Sequence, residues 1–228
     1  MKAGTRSALY ALGATLLLGG CVGSDTDEDR AAREGVQPQT QAQPAQPAPP
    51  PPPDIELEVD LSARELHVYR AGQRVATHAV AVGSREWPTP TGEWTIGQVI
   101  FNPRWIPPEE AWAKDEEVAE PGDPDNPLGA AQLVYRAPNS IHGTNQPESL
   151  GKAVSHGSIR VANDVAIQLA RQVMEAGGAA RDEAWFRNAT ENNRVRQEVS
   201  IPSPVPIRVV ERSTRSGAGA AADSAASR

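Results

Sequence analysis

Cysteine is almost missing from this chain: its 228 residues contain one, Cys21. A single thiol cannot close an internal disulfide, so no cystine framework supports the fold. The four histidines include no short ligand pair of the H-x3-H kind, and no second cysteine assists them. That pattern argues against a zinc site, and neither a metal nor a cofactor is expected. Positive charge is also short. With 22 Lys and Arg against 29 Asp and Glu, the formal charge is −7. A nucleic-acid binder would show a basic excess or stripe, so nucleic acid is not an expected partner. No internal repeat is visible.

The one marked apolar run stands at the start. Residues 7–20 are mostly apolar and small, Lys2 and Arg6 precede them, and no acidic residue interrupts. The run is too short to span a bilayer comfortably and reads as a secretory signal. Leu18-Gly19-Gly20-Cys21 resembles a bacterial lipobox, in which cleavage leaves the cysteine as a lipidated N-terminus. Several acyl chains on one residue give stable anchoring where one chain is marginal. The expectation is export and lipid anchoring through Cys21 to a cell-envelope membrane, with no free thiol left in the mature protein.

Residues 21–53 have few aliphatic side chains. The acidic cluster Asp25, Asp27, Glu28 and Asp29 gives way to Gln, Ala and Pro, ending in Pro49–Pro53. Such a segment cannot bury a core and reads as a disordered tether, its proline end extended at about 3.1 Å per residue. From Asp54 the pattern changes. Ile55, Leu57 and Val59 alternate with Glu56, Glu58 and Asp60, as in a half-buried strand. Leu66 and Val68 continue it, Ala71-Gly72 turns, and residues 75–82 return as a hairpin. Further strands are expected at 91–96, 132–136 and 206–210. Residues 102–128, rich in Pro, Trp and acidic side chains, read as a lid over a cleft. Asp164 is expected to cap the one persuasive helix, which Gly177-Gly178 ends, with a weaker helical piece near 180–188. His67 and His78 are expected at the surface or the core edge. Residues 212–228 read as a disordered tail, which leaves 54–211 as one mostly β domain with one main helix.

Residues 142–160 concentrate the chemistry. His142 and His156 are each followed by a glycine, and Ser158 and Arg160 come after. Glycine beside a reactive residue permits a tight turn that presents main-chain N–H donors to an oxyanion. The ordered motifs Thr89-Pro-Thr-Gly92, Asn102-Pro-Arg-Trp-Ile-Pro-Pro108, Asp125-Asn-Pro-Leu-Gly129, Ile141-His-Gly-Thr-Asn145, Ser149-Leu-Gly151 and Ser155-His-Gly-Ser-Ile-Arg160 together resemble an L,D-transpeptidase catalytic domain of the YkuD type, over about residues 54–211.

The resemblance implies a β-sandwich-like catalytic domain with a helix against it, and a place in cell-wall biogenesis. Its partners would be peptidoglycan stem peptides. It places His142 as the general base and Ser158 at the position of the family's nucleophilic cysteine. The backbone of His156, Gly157 and Ser158 falls at the oxyanion hole. Arg160 would orient a substrate carboxylate, and Gly143 and Ser155 complete the binding loops. Trp105 and Trp112 are candidates for substrate-facing lid residues, whereas Trp94 alternates as a packed strand residue does. The change at 158 falls on the chemistry itself. A cysteine can be thiolate before substrate arrives, while a serine hydroxyl needs its proton removed during attack. Two readings stay open at this point: a serine-based acyltransferase or peptidase, and a catalytically inactive peptidoglycan-binding lipoprotein.

Overall fold

A computed structural model describes residues 52–215. The expected signal peptide, Cys21, most of the expected tether and residues 216–228 lie outside the described residues. Ten strands and two α-helices follow in order: β1 (Ile55–Asp60), β2 (Glu65–Arg70), β3 (Gln73–Ala79), β4 (Val82–Gly83), β5 (Gly92–Phe101), β6 (Ala131–Arg136), β7 (Asn139–His142), β8 (Ala153–Ser155), β9 (Ile159–Arg160), α1 (Asn163–Ala176), α2 (Glu183–Glu191) and β10 (Gln197–Val210). The fold is mostly β, as expected. Eight strands form one sheet in the order β3-β2-β1-β10-β5-β6-β7-β9, and β4 pairs with β8 in a small second sheet.

Alternation builds the large sheet. Leu57, Val59, Leu66, Val68, Ile96, Val99, Leu133, Ile141 and Ile159 are buried, and Leu169, Ala170, Val173 and Met174 of α1 join the same core. Each such aliphatic side chain contributes about 1.5–3 kcal/mol on burial. The hairpin between β2 and β3 turns at Ala71 and Gly72, whose φ values of 47° and 77° are the pair a two-residue primed turn requires. β10 is far longer than the 206–210 segment read from the sequence. It runs antiparallel along β5 from Gln197↔Phe101 to Val209↔Gly92 and parallel to β1 from Leu57↔Ile207. Pro202, Pro204 and Pro206 hid it, because proline weakens a strand assignment. The first two lie in the irregular stretch between Ser200 and Val205, where the β5 register shifts.

Three local readings change. Asp164 does not cap α1: Ala162 holds the cap position, while Asp164 accepts a hydrogen bond from the N–H of Val165 at 2.9 Å. Helix α2 starts at Glu183 because Asp182 caps it, its carboxylate accepting from Trp185 N–H at 2.8 Å. His67 is buried, with Nε2 3.0 Å from Glu65 Oε2 and Nδ1 3.8 Å from the fully buried Glu58. The expected tail also begins later than residue 212. Ser213 N–H donates to Asp60 at 2.7 Å, Ser213 Oγ bonds Glu58, and the Arg215 guanidinium lies 3.8 Å over the Tyr69 ring. Burial alone would raise the Glu58 carboxyl, but Ser213 and Arg208 more than offset it and hold it below the ordinary range.

Candidate active site

Two short parallel strands hold His142 and Arg160, and Ser158 lies in the loop immediately before the second. β7 pairs with β9 through Ile141↔Ile159 and His142↔Arg160. Both isoleucines are buried, so alternation sends Ser140, His142, Ser158 and Arg160 to the other face. His142 and Ser158 therefore flank the same β7–β9 pair, with Ser158 in the loop that leads into β9.

His142 is buried, and its Nδ1 lies 2.6 Å from the Gly143 carbonyl oxygen. A carbonyl only accepts, so Nδ1 carries the hydrogen and Nε2 offers a lone pair. Burial depresses the ring to about 4, the Arg160 charge pushes the same way, and the bond to Gly143 opposes both. The imidazole is therefore neutral at neutral pH. Gly143 is held in turn by its N–H to Ala131 O at 2.9 Å. A Cβ at position 143 would stand 2.1 Å from Asn163 Oδ1. Asn163, the first residue of α1, accepts from Ala130 N–H at 2.9 Å and donates to Thr144 O at 3.1 Å, tying both sides of the His142 loop. Sequence reading passed over Asn163; its position next to a helix start was the only signal.

Ser158 Oγ accepts a hydrogen bond from Ser140 N–H at 3.2 Å. Among the described residues it makes no hydrogen bond with His142. Ser155 shapes the loop by donating its hydroxyl to Ser158 O at 2.5 Å and accepting from Gly157 N–H at 3.2 Å. Gly157 is thus committed, and the N–H groups of His156 and Ser158 are the loop's candidates for an oxyanion. The φ of Gly157 is 100°, and a Cβ there would stand 2.9 Å from Asn139 Nδ2. The φ alone makes a side chain at position 157 strained, and Asn139 would have to shift as well. Arg160 donates to Gln146 Oε1 at 3.0 Å.

Of the two candidate tryptophans in the irregular segment 102–128, Trp112 and not Trp105 reaches the loop. Trp112 stacks on His156 with ring centroids 3.7 Å apart and planes 6° apart, and Trp87 approaches the same imidazole at 4.5 Å. Trp105 pairs through its backbone with Ala119 and makes no ring contact among the described residues. Burial and Arg160 lower the His156 ring, against Glu110, Glu116 and Glu86.

An oriented neutral imidazole and a hydroxyl on one strand face, beside a glycine loop with main-chain donors, are the parts needed for acyl transfer. The model of the YkuD L,D-transpeptidase catalytic domain matches residues 54–201, and the chain belongs to that family. YqjB of Bacillus subtilis is 34% identical over 117 residues, covering 49% of this chain and 61% of YqjB. YkuD of Bacillus licheniformis is 34% identical over 115 residues, covering 50% of this chain and 57% of YkuD. The chain thus spans less than two thirds of the length of these relatives. Among solved structures, an L,D-transpeptidase from Mycobacterium smegmatis aligns with a TM-score of 0.45 at 17% identity, over 69% of this chain and 59% of the other.

Proposed function

We propose that this protein transfers or hydrolyses acyl groups of peptidoglycan stem peptides through Ser158, which replaces the family's cysteine, with His142 as general base. The observation that carries the reading is the His142–Gly143 bond, which fixes the tautomer with Nε2 free. Ser158 Oγ attacks the scissile carbonyl while its proton passes to Nε2. The oxyanion forms against the N–H groups of His156 and Ser158, and the departing amine takes the proton from the imidazolium. The resulting ester is then attacked by an amine or by water; His142 takes the nucleophile's proton and returns it to Ser158 Oγ as the ester bond breaks and the product leaves. Arg160 supplies the cation for a substrate carboxylate. Slow serine chemistry suffices where the substrate is held in place. Export and anchoring through a lipidated Cys21 belong to the same reading, and put the domain where its substrate is.

A second reading has its own observation. Ser158 Oγ is held by Ser140 N–H rather than by His142, as suits a cleft that binds stem peptides without cleaving them. Chromatography after incubation with disaccharide-tetrapeptide muropeptides separates the two. New cross-linked or shortened products, absent with Ser158→Ala, support the enzyme. Bound but unchanged substrate supports the binding protein.

A further inference from the structure

Asn163 opens α1 but does not cap it. Ala162 holds the cap position without a side-chain bond, although asparagine is among the residues that cap best. Both ends of the Asn163 amide turn to the His142 loop instead. Oδ1 accepts from Ala130 N–H at 2.9 Å, and Nδ2 donates to Thr144 O at 3.1 Å. Helix formation therefore does not account for an amide at this position.

Two glycines make room for it. A Cβ at Gly129 or at Gly143 would stand 2.1 Å from Asn163 Oδ1. Gly129, with a φ of 63°, also packs against the peptide that joins Gly143 to Thr144, where its Cβ would meet Thr144 N at 2.6 Å and the Gly143 carbonyl carbon at 2.7 Å. Asn163 thus grips both sides of that peptide, the floor through Ala130 and the loop through Thr144.

The same peptide carries the carbonyl that orients the base, since Gly143 O lies 2.6 Å from His142 Nδ1. On its near side the chain is pinned by His142 O, which accepts from Val161 N–H, and by Gly143 N–H, which donates to Ala131 O, both at 2.9 Å. Neither bond fixes the Gly143 carbonyl, because the glycine Cα–C bond rotates beyond them. Among the described residues, the next main-chain atom held by a hydrogen bond is Thr144 O, and Asn163 holds it. Thr144 is buried, so water is a poor substitute for that donor. If the carbonyl turned away, Nδ1 would lose its acceptor and the hydrogen would be free to move to Nε2, where it blocks proton uptake from Ser158. The geometry points to Asn163 as a positioning residue: resting on the acyl-transfer reading above, its bond to Thr144 O holds the Gly143 carbonyl on His142 and keeps the base in its working tautomer.

Nitrogen NMR of the full chain with 15N-labelled histidine, at about pH 8 and without substrate, reads the tautomer, and His142→Gln identifies the resonances. The parent is expected to carry the hydrogen on Nδ1. Asn163→Asp keeps the volume and the acceptor for Ala130 but cannot donate to Thr144 O, while Asn163→Ala loses both bonds. Both variants are expected to show a mixture of tautomers at His142, and the near-isosteric Asp variant carries the test if the Ala variant does not fold. A single Nδ1–H tautomer in either folded variant overturns the inference, as does a parent with the hydrogen on Nε2. With muropeptide, Asn163→Asp should lower kcat about tenfold or more and leave KM within about twofold, a part of the roughly 10²–10⁴-fold that a positioned base supplies. Unchanged kcat in a variant with mixed tautomers would also contradict it. A parent that binds muropeptide without turnover sinks the enzyme reading and leaves the tautomer result standing, so the two failures are distinguishable.

Discussion

At the scale of single residues, His142 links chemistry to stability. Burial holds its ring at about 4, below the ordinary histidine value of 6.5. The unfolded chain takes up a proton that the folded one refuses. Its contribution is therefore complete above about pH 6.5 and is lost as pH falls through about 4, a span of about 3 kcal/mol. Urea denaturation at pH 7 and pH 4.5 should show the loss, and His142→Gln should flatten the slope. An equal slope in both proteins would place the titrating group elsewhere. Ser158→Cys should raise the titration midpoint of His142, read by NMR, because a thiolate favours the imidazolium, and should speed acyl transfer about tenfold or more. A folded but inert Cys variant would mean that the base or the oxyanion donors are misplaced. Two short motifs, one with His142 and one with Ser158 and Arg160, offered these residues as candidates from the sequence, and the structure brings the two segments together as β7 and β9. The burial of His67 was not, since it depends on Glu58, nine residues away and on a neighbouring strand.

Among the elements, the pair β7 and β9 does the positioning, and its glycine loop tolerates little. Gly157→Ala would place a Cβ 2.9 Å from Asn139 Nδ2 at a φ of 100°. The expected cost is about 1–2 kcal/mol of stability, measured by denaturation, together with loss of turnover. An alanine variant as stable and active as the parent would contradict the loop geometry. Strands that alternate without proline were readable as strand, but Leu66 and Val68, read as continuing the strand from Ile55, belong to β2, which turns back antiparallel to β1. β10 was readable only at its end, because three prolines conceal a strand whose partner β5 lies about a hundred residues earlier. The lid segment was legible as irregular. Which tryptophan meets His156 was not, because packing decides between Trp105 and Trp112 and spacing does not.

For the whole molecule, the reading of the N-terminus sets where the His142–Ser158 site works. If Cys21 carries the lipid, Cys21→Ala should move the protein from the membrane fraction to the soluble fraction of the envelope. A variant that stays with the membrane would remove Cys21 as the anchor. Residues 211–215 show the limit of composition as a guide. Arg212 opens a stretch that reads as tail, yet Ser213 and Arg215 reach side chains about 150 residues earlier, a pairing no local pattern announces. The central claim remains that Ser158 forms an ester with the stem peptide. Intact-protein mass spectrometry after rapid mixing with muropeptide and acid quench tests it most directly. A mass increase equal to the acyl fragment, absent in Ser158→Ala, is the predicted result. Products formed by the parent with equal turnover in Ser158→Ala would contradict it.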